Sequence, residues 1–296
     1  MSNFDKRTDV RGLQIAGMEL SKNFKPYPKA SRVLFDLDGT LSLMRGGWGD
    51  VMLGLFMERI SPFPGESRED LENLLREDML KESGKPVISQ FVRFVGRQQE
   101  RCCKGDSPER MYQEFIHRMG KISDQRRQDM LSGKRSKESI LVPGVDRMLH
   151  ELRQRGLILY LASGSNIELV KREIEELGVA DFFEERVYGD SPGFSKHSVI
   201  EKILSEPGVS SENLIAFGDG FVEISETTRV GGLAVAVASD ESLVNLAVSG
   251  KTYPPQKEII YPKKRNLLLR AGATVVMGDY RNAAERAAVL LGEKRI

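Results

Sequence analysis

The sequence is short of the residues that build disulfide, zinc and membrane proteins. Its 296 residues include only two cysteines, the neighbours Cys102 and Cys103. Adjacent cysteines cannot staple distant parts of a chain, and no spacing here suits a tetrahedral zinc site. A reducing, cytoplasmic setting is the expectation. No run of about 18 apolar residues occurs, so no membrane-spanning helix is predicted. The opening stretch Met1–Val10 is polar and lacks the apolar segment of a signal peptide. Neither sign of charge is in excess: 44 basic against 43 acidic residues leave a formal charge of +1. No net field favours nucleic acid or an anionic membrane, so neither is expected as a partner. Any bound anion must be held by a local site.

The remaining composition is ordinary for a globular protein, at 40% hydrophobic and 29% charged residues. The chain is long enough for one large domain or two unequal ones. Residues 1–30 read as an N-terminal extension, with a short helix near 10–20. Arg32-Val33-Leu34-Phe35 is a short apolar run ending directly in Asp36, the pattern of a strand buried on both faces of a parallel sheet. From 45 to 139 the texture changes to helical spacing with many charges, at Val51–Ile60, Arg68–Glu82, Pro86–Gln99 and Pro108–Met119. This is a helical module inserted between a Gly-rich entrance, Arg45-Gly46-Gly47-Trp48-Gly49, and a charged exit, Ser132–Ser139. Residues 31–44 and 140–296 form the other domain. After Gly144 the chain alternates: helix from Val145, strand Leu157–Ala162, helix Asn166–Leu177 ended by Gly178, helix 196–205 and strand Asn213–Phe217. Strand Leu233–Val237, helix 263–271, strand Thr274–Met277 and helix 281–291 follow. Such alternation predicts an α/β fold with a doubly wound parallel sheet. Ligands bind at the carboxyl ends of such strands.

Four polar groups stand at these places. Asp36 and Asp38, in Asp36-Leu37-Asp38-Gly39-Thr40, follow the first strand. Ser163-Gly164-Ser165-Asn166 follows the second. Lys196 precedes a helix, and Gly218-Asp219-Gly220-Phe221-Val222-Glu223 follows strand 213–217. Each has a plain structural reading. Asp-x-Asp-Gly can be a turn, Ser163 or Asn166 a helix cap, and Lys196 a solvated lysine. A calcium loop is excluded because the further carboxylates at loop spacing are missing. Together the groups make one site. A carboxylate can attack phosphorus and form an aspartyl-phosphate. Because both groups are anionic, Mg²⁺ is the fitting cofactor, with Asp36 and Asp219 as ligands. Asp38 can protonate the leaving oxygen and later deprotonate water. Ser163, Gly164 and Ser165 can cradle phosphoryl oxygens at a helix start, and Lys196 can neutralise charge on the transferring group.

These residues resemble the four motifs of the haloacid dehalogenase superfamily. They are Phe35-Asp36-Leu37-Asp38-Gly39-Thr40-Leu41, then Ser163 in Leu161-Ala162-Ser163-Gly164-Ser165, then Lys196, then Gly218-Asp219 with Glu223. The successive anchors Asp36, Ser163, Lys196 and Asp219 lie 127, 33 and 23 residues apart. The resemblance covers residues 32 to about 291. It implies a Rossmann-like core and an α-helical cap domain of type 1, similar to the β-phosphoglucomutase and phosphoglycolate phosphatase branch. It also implies roles: Asp36 as nucleophile and metal ligand, Asp38 as acid/base with its backbone carbonyl on the metal, Ser163 and Lys196 on phosphate, and Asp219 on Mg²⁺. Glu223 stands where many members carry Asp, so its part in the metal site is the departure from the pattern. The second Asp, Asp38, points to phosphatases and phosphomutases rather than dehalogenases. The implied activity is hydrolysis of a small phosphorylated metabolite, a sugar or polyol phosphate. A phosphomutase, or a non-catalytic sugar-phosphate-binding regulator, are the alternatives. In the cap, Arg45 is a candidate clamp for a second anionic group and the single tryptophan, Trp48, a candidate platform for a sugar ring; a solvated Arg and a packing Trp are the plain readings. Gly278-Asp279 reads as a strand-to-helix turn. The oligomeric state is not set by any feature of the sequence.

Overall fold

A computed structural model describes residues 13–82, 87–241 and 258–294. The chain divides into two compact units, one of residues 1–44 with 135–296 and one of residues 45–134.

In the larger unit, eight strands form one sheet among the described residues. They are β1 (Gln14–Ile15), β2 (Met18–Leu20), β3 (Arg32–Phe35), β4 (Ile158–Asn166), β5 (Val187–Asp190), β6 (Leu214–Gly218), β7 (Leu233–Val237) and β8 (Val275–Met277). Their spatial order is β1-β2-β8-β7-β6-β3-β4-β5. From β8 to β5 all neighbours are parallel, while β2 pairs antiparallel with β8 and with β1. The central strands are apolar throughout because both faces are covered. Val33, Leu34 and Phe35 of β3 and all residues of β6 and β7 are buried. One face packs under α7 (Lys196–Leu204), α8 (Phe221–Val230) and α9 (Pro262–Arg270), through Leu34, Ala216, Ile200, Ile224, Ala236 and Leu268. On the other face Phe35 stacks on Phe217 at 4.7 Å and meets Phe183 and Tyr280. There α5 (Val145–Gln154) packs on β4 and on α10 (Ala283–Leu290). Helix α6 (Ile167–Leu177) links β4 to β5 and lies against both. The fold is α/β and doubly wound.

The N-terminal stretch departs from expectation. Instead of a helix near 10–20, Ala16 and Gly17 turn with φ of 52° and 82°, and β1 and β2 form a hairpin on the edge of the sheet. Two residues with positive φ between alternating strands are a hairpin turn of the kind matching strand twist. Met18 and Leu20 are buried, so this segment is part of the core rather than an extension outside it. Residues 10–12 lie outside the described residues. Strand β5 was not foreseen either; Val-Tyr-Gly-Asp is too short and polar to announce itself.

The smaller unit is helical: α1 (Trp48–Met57), α2 (Arg68–Lys81), α3 (Ile88–Glu100) and α4 (Pro108–Leu131). Its core holds Leu55, Phe56, Leu71, Leu75, Phe91, Phe94, Met111 and Phe115, with Phe56 stacked on Phe94 at 4.1 Å. Helix α4 begins with Ser107 accepting the Arg110 N–H and Pro108 at the first helical position. It runs twelve residues beyond the expected end at Met119, to Leu131. The extra turns carry buried Arg126, whose Nη1 donates to the Gly46 carbonyl at 2.8 Å, and buried Met130. Local pattern is weak there, and tertiary contacts decide. No helix among the described residues is long and apolar enough to cross a membrane.

Candidate active site

The parallel register assembles the site. Phe35 of β3 is level with Leu161 of β4 and with Phe217 of β6. Asp36 and Asp219, just beyond β3 and β6, therefore leave the sheet together at its carboxyl end, with Ser163 near them in β4, where the chain goes from β3 to one side and returns on the other. The Asp36 N–H still donates to the Phe217 carbonyl at 3.0 Å, which holds the first residue beyond β3 in line. The next turn folds tightly, with the Leu41 and Ser42 N–H groups on the Leu37 carbonyl and the Ser239 hydroxyl on the Gly39 carbonyl. Gly39 has φ of 71°, and a Cβ there would lie 2.1 Å from Asp219 Oδ2. Only glycine lets the turn approach that carboxylate.

Lys196, the first residue of α7, lies between two carboxylates, with Nζ 2.8 Å from Asp36 Oδ1 and 2.9 Å from Glu223 Oε2. Ser195 caps α7 through a capping box with Ser198, which fixes where Lys196 starts. Glu223 is buried in the first turn of α8, where its Oε1 accepts the Gly220 N–H. Burial would raise its carboxyl, but Lys196 and the backbone N–H groups outweigh that and hold it below the usual range. Lys196 is held above the ordinary lysine value; burial disfavours its charge, yet Asp36 and Glu223 together overcome it. Asp36 goes the other way. Burial drives its carboxyl well up, and the Glu223 and Asp219 charges add to that against Lys196. Asp219 is pushed up to about 6, again by burial first, with Lys264 opposing and Glu241 adding.

Asp36, Asp219 and Glu223 each offer an oxygen, and these atoms lie within 4.8 Å of one another. Asp36 Oδ2 and Asp219 Oδ1 accept no hydrogen bond from a described residue. Such a set of hard anionic oxygens fits Mg²⁺ rather than a softer ion. Lys196 on Asp36 and Glu223, and Lys264 on Asp219, offset part of the mutual repulsion of these buried carboxylates.

Asp38 stands beside this cluster, and its Oδ2 accepts the Ser165 hydroxyl at 3.1 Å. Strand β4 extends past Ala162 to Asn166 with a shift in register, and the buried Ser163 Oγ accepts the Ser165 N–H at 3.1 Å. Gly164 is exposed. Asn166 caps α6, its Oδ1 accepting the Glu168 N–H, which is the plain reading of that residue. Arg45 and Trp48 belong to the helical unit; Trp48 is the first residue of α1 and is 37% exposed. Asp279 serves its own turn, accepting from the Arg281 backbone and guanidinium.

Three residues here escaped the sequence reading. Lys264 Nζ lies 2.8 Å from Asp219 Oδ2 and 2.7 Å from Glu241 Oε1. The Tyr280 hydroxyl is fully buried with no hydrogen-bond partner among the described residues, its phenol driven well up by burial and then by the Asp219 and Asp36 charges. No local signal singles out Lys264, since Lys263 shares the first turn of α9 with it.

A doubly wound sheet that gathers carboxylates and a lysine at its carboxyl ends defines a class of α/β enzyme. Residues 31–227, more than half of the chain, match the model of the haloacid dehalogenase-like hydrolases, and the chain belongs to that family. It is a hydrolase. The search of curated proteins gives no match. Among solved structures, the chain resembles a haloacid dehalogenase-like protein from Agrobacterium tumefaciens, with a TM-score of 0.59 at 15% identity, covering 89% of this chain and 99% of that one. A predicted phosphoglycolate phosphatase from Haemophilus somnus gives 0.54 at 16%, covering 90% and 99%. A hydrolase of the family from Deinococcus radiodurans, with bound phosphate and sodium, gives 0.52 at 16%, covering 90% and 96%. Identities this low speak to fold.

Proposed function

We propose that the protein is a Mg²⁺-dependent phosphatase that hydrolyses a small phosphorylated metabolite, of the sugar or polyol phosphate class, through an aspartyl-phosphate on Asp36. The observation that carries this reading is Asp36 itself. It is a buried carboxylate with one oxygen on Lys196 and the other without a protein donor, next to Asp219 and Glu223.

A carboxylate oxygen of Asp36 is the attacking atom. The Lys196 ammonium opposes the burial that raises the Asp36 carboxyl, favouring its ionised form, and stabilises charge on the transferring group. Asp38 gives a proton to the leaving oxygen and takes one from the water that cleaves the phosphoenzyme, with the Ser165 hydroxyl orienting its Oδ2. Ser163, Gly164 and Ser165 supply phosphate contacts ahead of α6. Asp36, Asp219 and the Asp38 backbone carbonyl, with Glu223 beside them, would hold Mg²⁺, which would supply the positive charge that lets carboxylate and phosphate approach. Glu223, engaged on both oxygens, anchors Lys196 first. We assign residues 31–44 and 140–296 to the catalytic core and 45–139 to a helical cap, with Arg45 and Trp48 as candidate substrate-binding residues. Both cysteines are free, which supports a reducing, cytoplasmic setting.

The test is a panel of phosphorylated metabolites assayed for phosphate release with Mg²⁺ and with EDTA. Release that needs Mg²⁺ and favours sugar or polyol phosphates is expected. Metal-independent release would contradict the reading, and an isomerised phosphate ester without free phosphate would make the protein a mutase.

A further inference from the structure

The metal cluster has a second buried lysine on its far side. Lys196 takes one oxygen of Asp36 and one of Glu223, whereas Lys264 takes one of Asp219 and one of Glu241. Lys264 is only 14% exposed at its side chain, and so is Glu241. Its placement is costly on two counts. An ammonium is withdrawn from water, and it sits in the first turn of α9, whose N–H groups already point positive charge the same way. The buried carboxylates offset that cost and fix the side chain. Pro262 at the start of α9 and Leu268, buried against β7 and β8, set where the lysine can reach.

Asp219 Oδ2 is thereby enclosed, with Gly39 against it on one side and Lys264 on another. Among the described residues, only Oδ1 has no donor. A cation bound there shares its ligand with a fixed positive charge, and two like charges around one carboxylate repel strongly where water is scarce.

We propose that Lys264 is a positioning residue that weakens divalent-metal binding at this site and confines Asp219 to one ligating oxygen. The proposal rests on Asp219 being a metal ligand, as assigned above. Lys264 does not touch the substrate. It holds the site ordered in the absence of metal, by satisfying carboxylates that would otherwise repel one another, and it keeps the metal exchangeable.

The experiment titrates Mn²⁺ into the full-length protein freed of metal, following the free Mn²⁺ signal by electron paramagnetic resonance at about pH 8, above the ordinary carboxylate range. Wild type is compared with Lys264→Met, Lys264→Arg and Asp219→Asn. Lys264→Met is expected to bind Mn²⁺ about tenfold more tightly or better, because a like charge beside the ligand is gone. Lys264→Arg, which restores the charge, should return affinity to within about twofold of wild type. Should Lys264→Met fail to fold, Lys264→Gln keeps a donor to Asp219 without the charge and is held to the same expectation. Equal or weaker binding in the neutral variant, with wild type binding normally and Asp219→Asn not, overturns the role of Lys264 alone. No uptake of Mn²⁺ by any variant overturns the metal site and this role with it.

Discussion

Asp36 and Asp219 are both buried carboxylates at strand ends, but each has a different lysine. Asp36 shares Lys196 with Glu223, and Asp219 shares Lys264 with Glu241. Replacing Asp36 with Asn keeps shape and burial while removing the attacking anion. The expected result is loss of phosphate release with an unchanged circular dichroism spectrum, and retained turnover would sink the nucleophile assignment. Asp38→Asn leaves attack possible but removes the acid/base group, costing about 10²–10⁴-fold in turnover. In that variant, phosphoenzyme should accumulate and be trapped by acid quench. Gly39→Ala acts differently, since its Cβ would fall 2.1 Å from Asp219 Oδ2 at φ of 71°. Either the turn or Asp219 must move, and a displacement near 1 Å costs on the order of 10²-fold in rate. Steady-state kinetics across several Mg²⁺ concentrations should show that added metal does not restore the wild-type rate.

Among the elements, the N-terminal hairpin contributes more than its five strand residues suggest. It adds Met18 and Leu20 to the core and pairs β2 with β8. Its turn is tied to the C-terminal end of the fold, where the fully buried Arg286 donates to the Ala16 carbonyl, to the Asp279 carbonyl and to Glu258. Gly17 has φ of 82°, and a Cβ there would come within 2.7 Å of Arg286 Nη2 and Glu258 Oε2. Gly17→Ala is expected to lower stability by about 1–3 kcal/mol, from positive φ and the displaced ion pair. Urea unfolding monitored by far-UV circular dichroism measures this, and a change within error would mean that the turn adapts. Helix α8 has a similar double duty: its first turn supplies Glu223, which accepts the Gly220 N–H and also receives Lys196.

At the scale of the molecule, two units with separate cores allow two unfolding transitions. The helical unit carries its own ionic network. Asp78, 6% exposed at its side chain, accepts from Arg97 at 2.6 Å and lies 2.7 Å from Arg93. Burial alone would raise its carboxyl, but hydrogen bonds from Arg97 and Arg93 hold it below the usual carboxylate value. A depressed folded value means stability that is present above the unfolded carboxylate range and is lost as pH falls through the folded value. Asp78→Asn is therefore expected to cost about 2–4 kcal/mol near pH 7, leaving two arginines without their anion. It should cost less at acid pH, once pH has fallen through the folded value and the wild type has lost the same charge. Urea titrations at the two pH values check this, and an equal penalty at both would mean that shape, not charge, is lost.

The legibility of this protein follows range in sequence. Asp36 after an apolar strand, the run of strands and helices after Gly144, and Gly178 ending α6 are local patterns, readable because period, capping and turn chemistry act over a few residues. Those patterns are sufficient for a doubly wound α/β sheet and for knowing which strand ends carry polar groups. The hairpin at 14–20 was also local, yet a turn made by Ala16 and Gly17 is a weak hairpin signal beside Asn-Gly, and the segment was read as helix. β5 needed its neighbour: four residues of mixed polarity become a strand by pairing with β4. Lys264 lies 45 residues from Asp219 in sequence. Nothing local joins them; strand order and the seat of Leu268 carry the start of α9 over the cluster. The sequence by itself determined the chemistry available to the site, because residue types at strand ends are local facts. Only the tertiary structure decided which lysine neutralises which carboxylate, because a charge pair is set by distance in space, and that distance comes from packing.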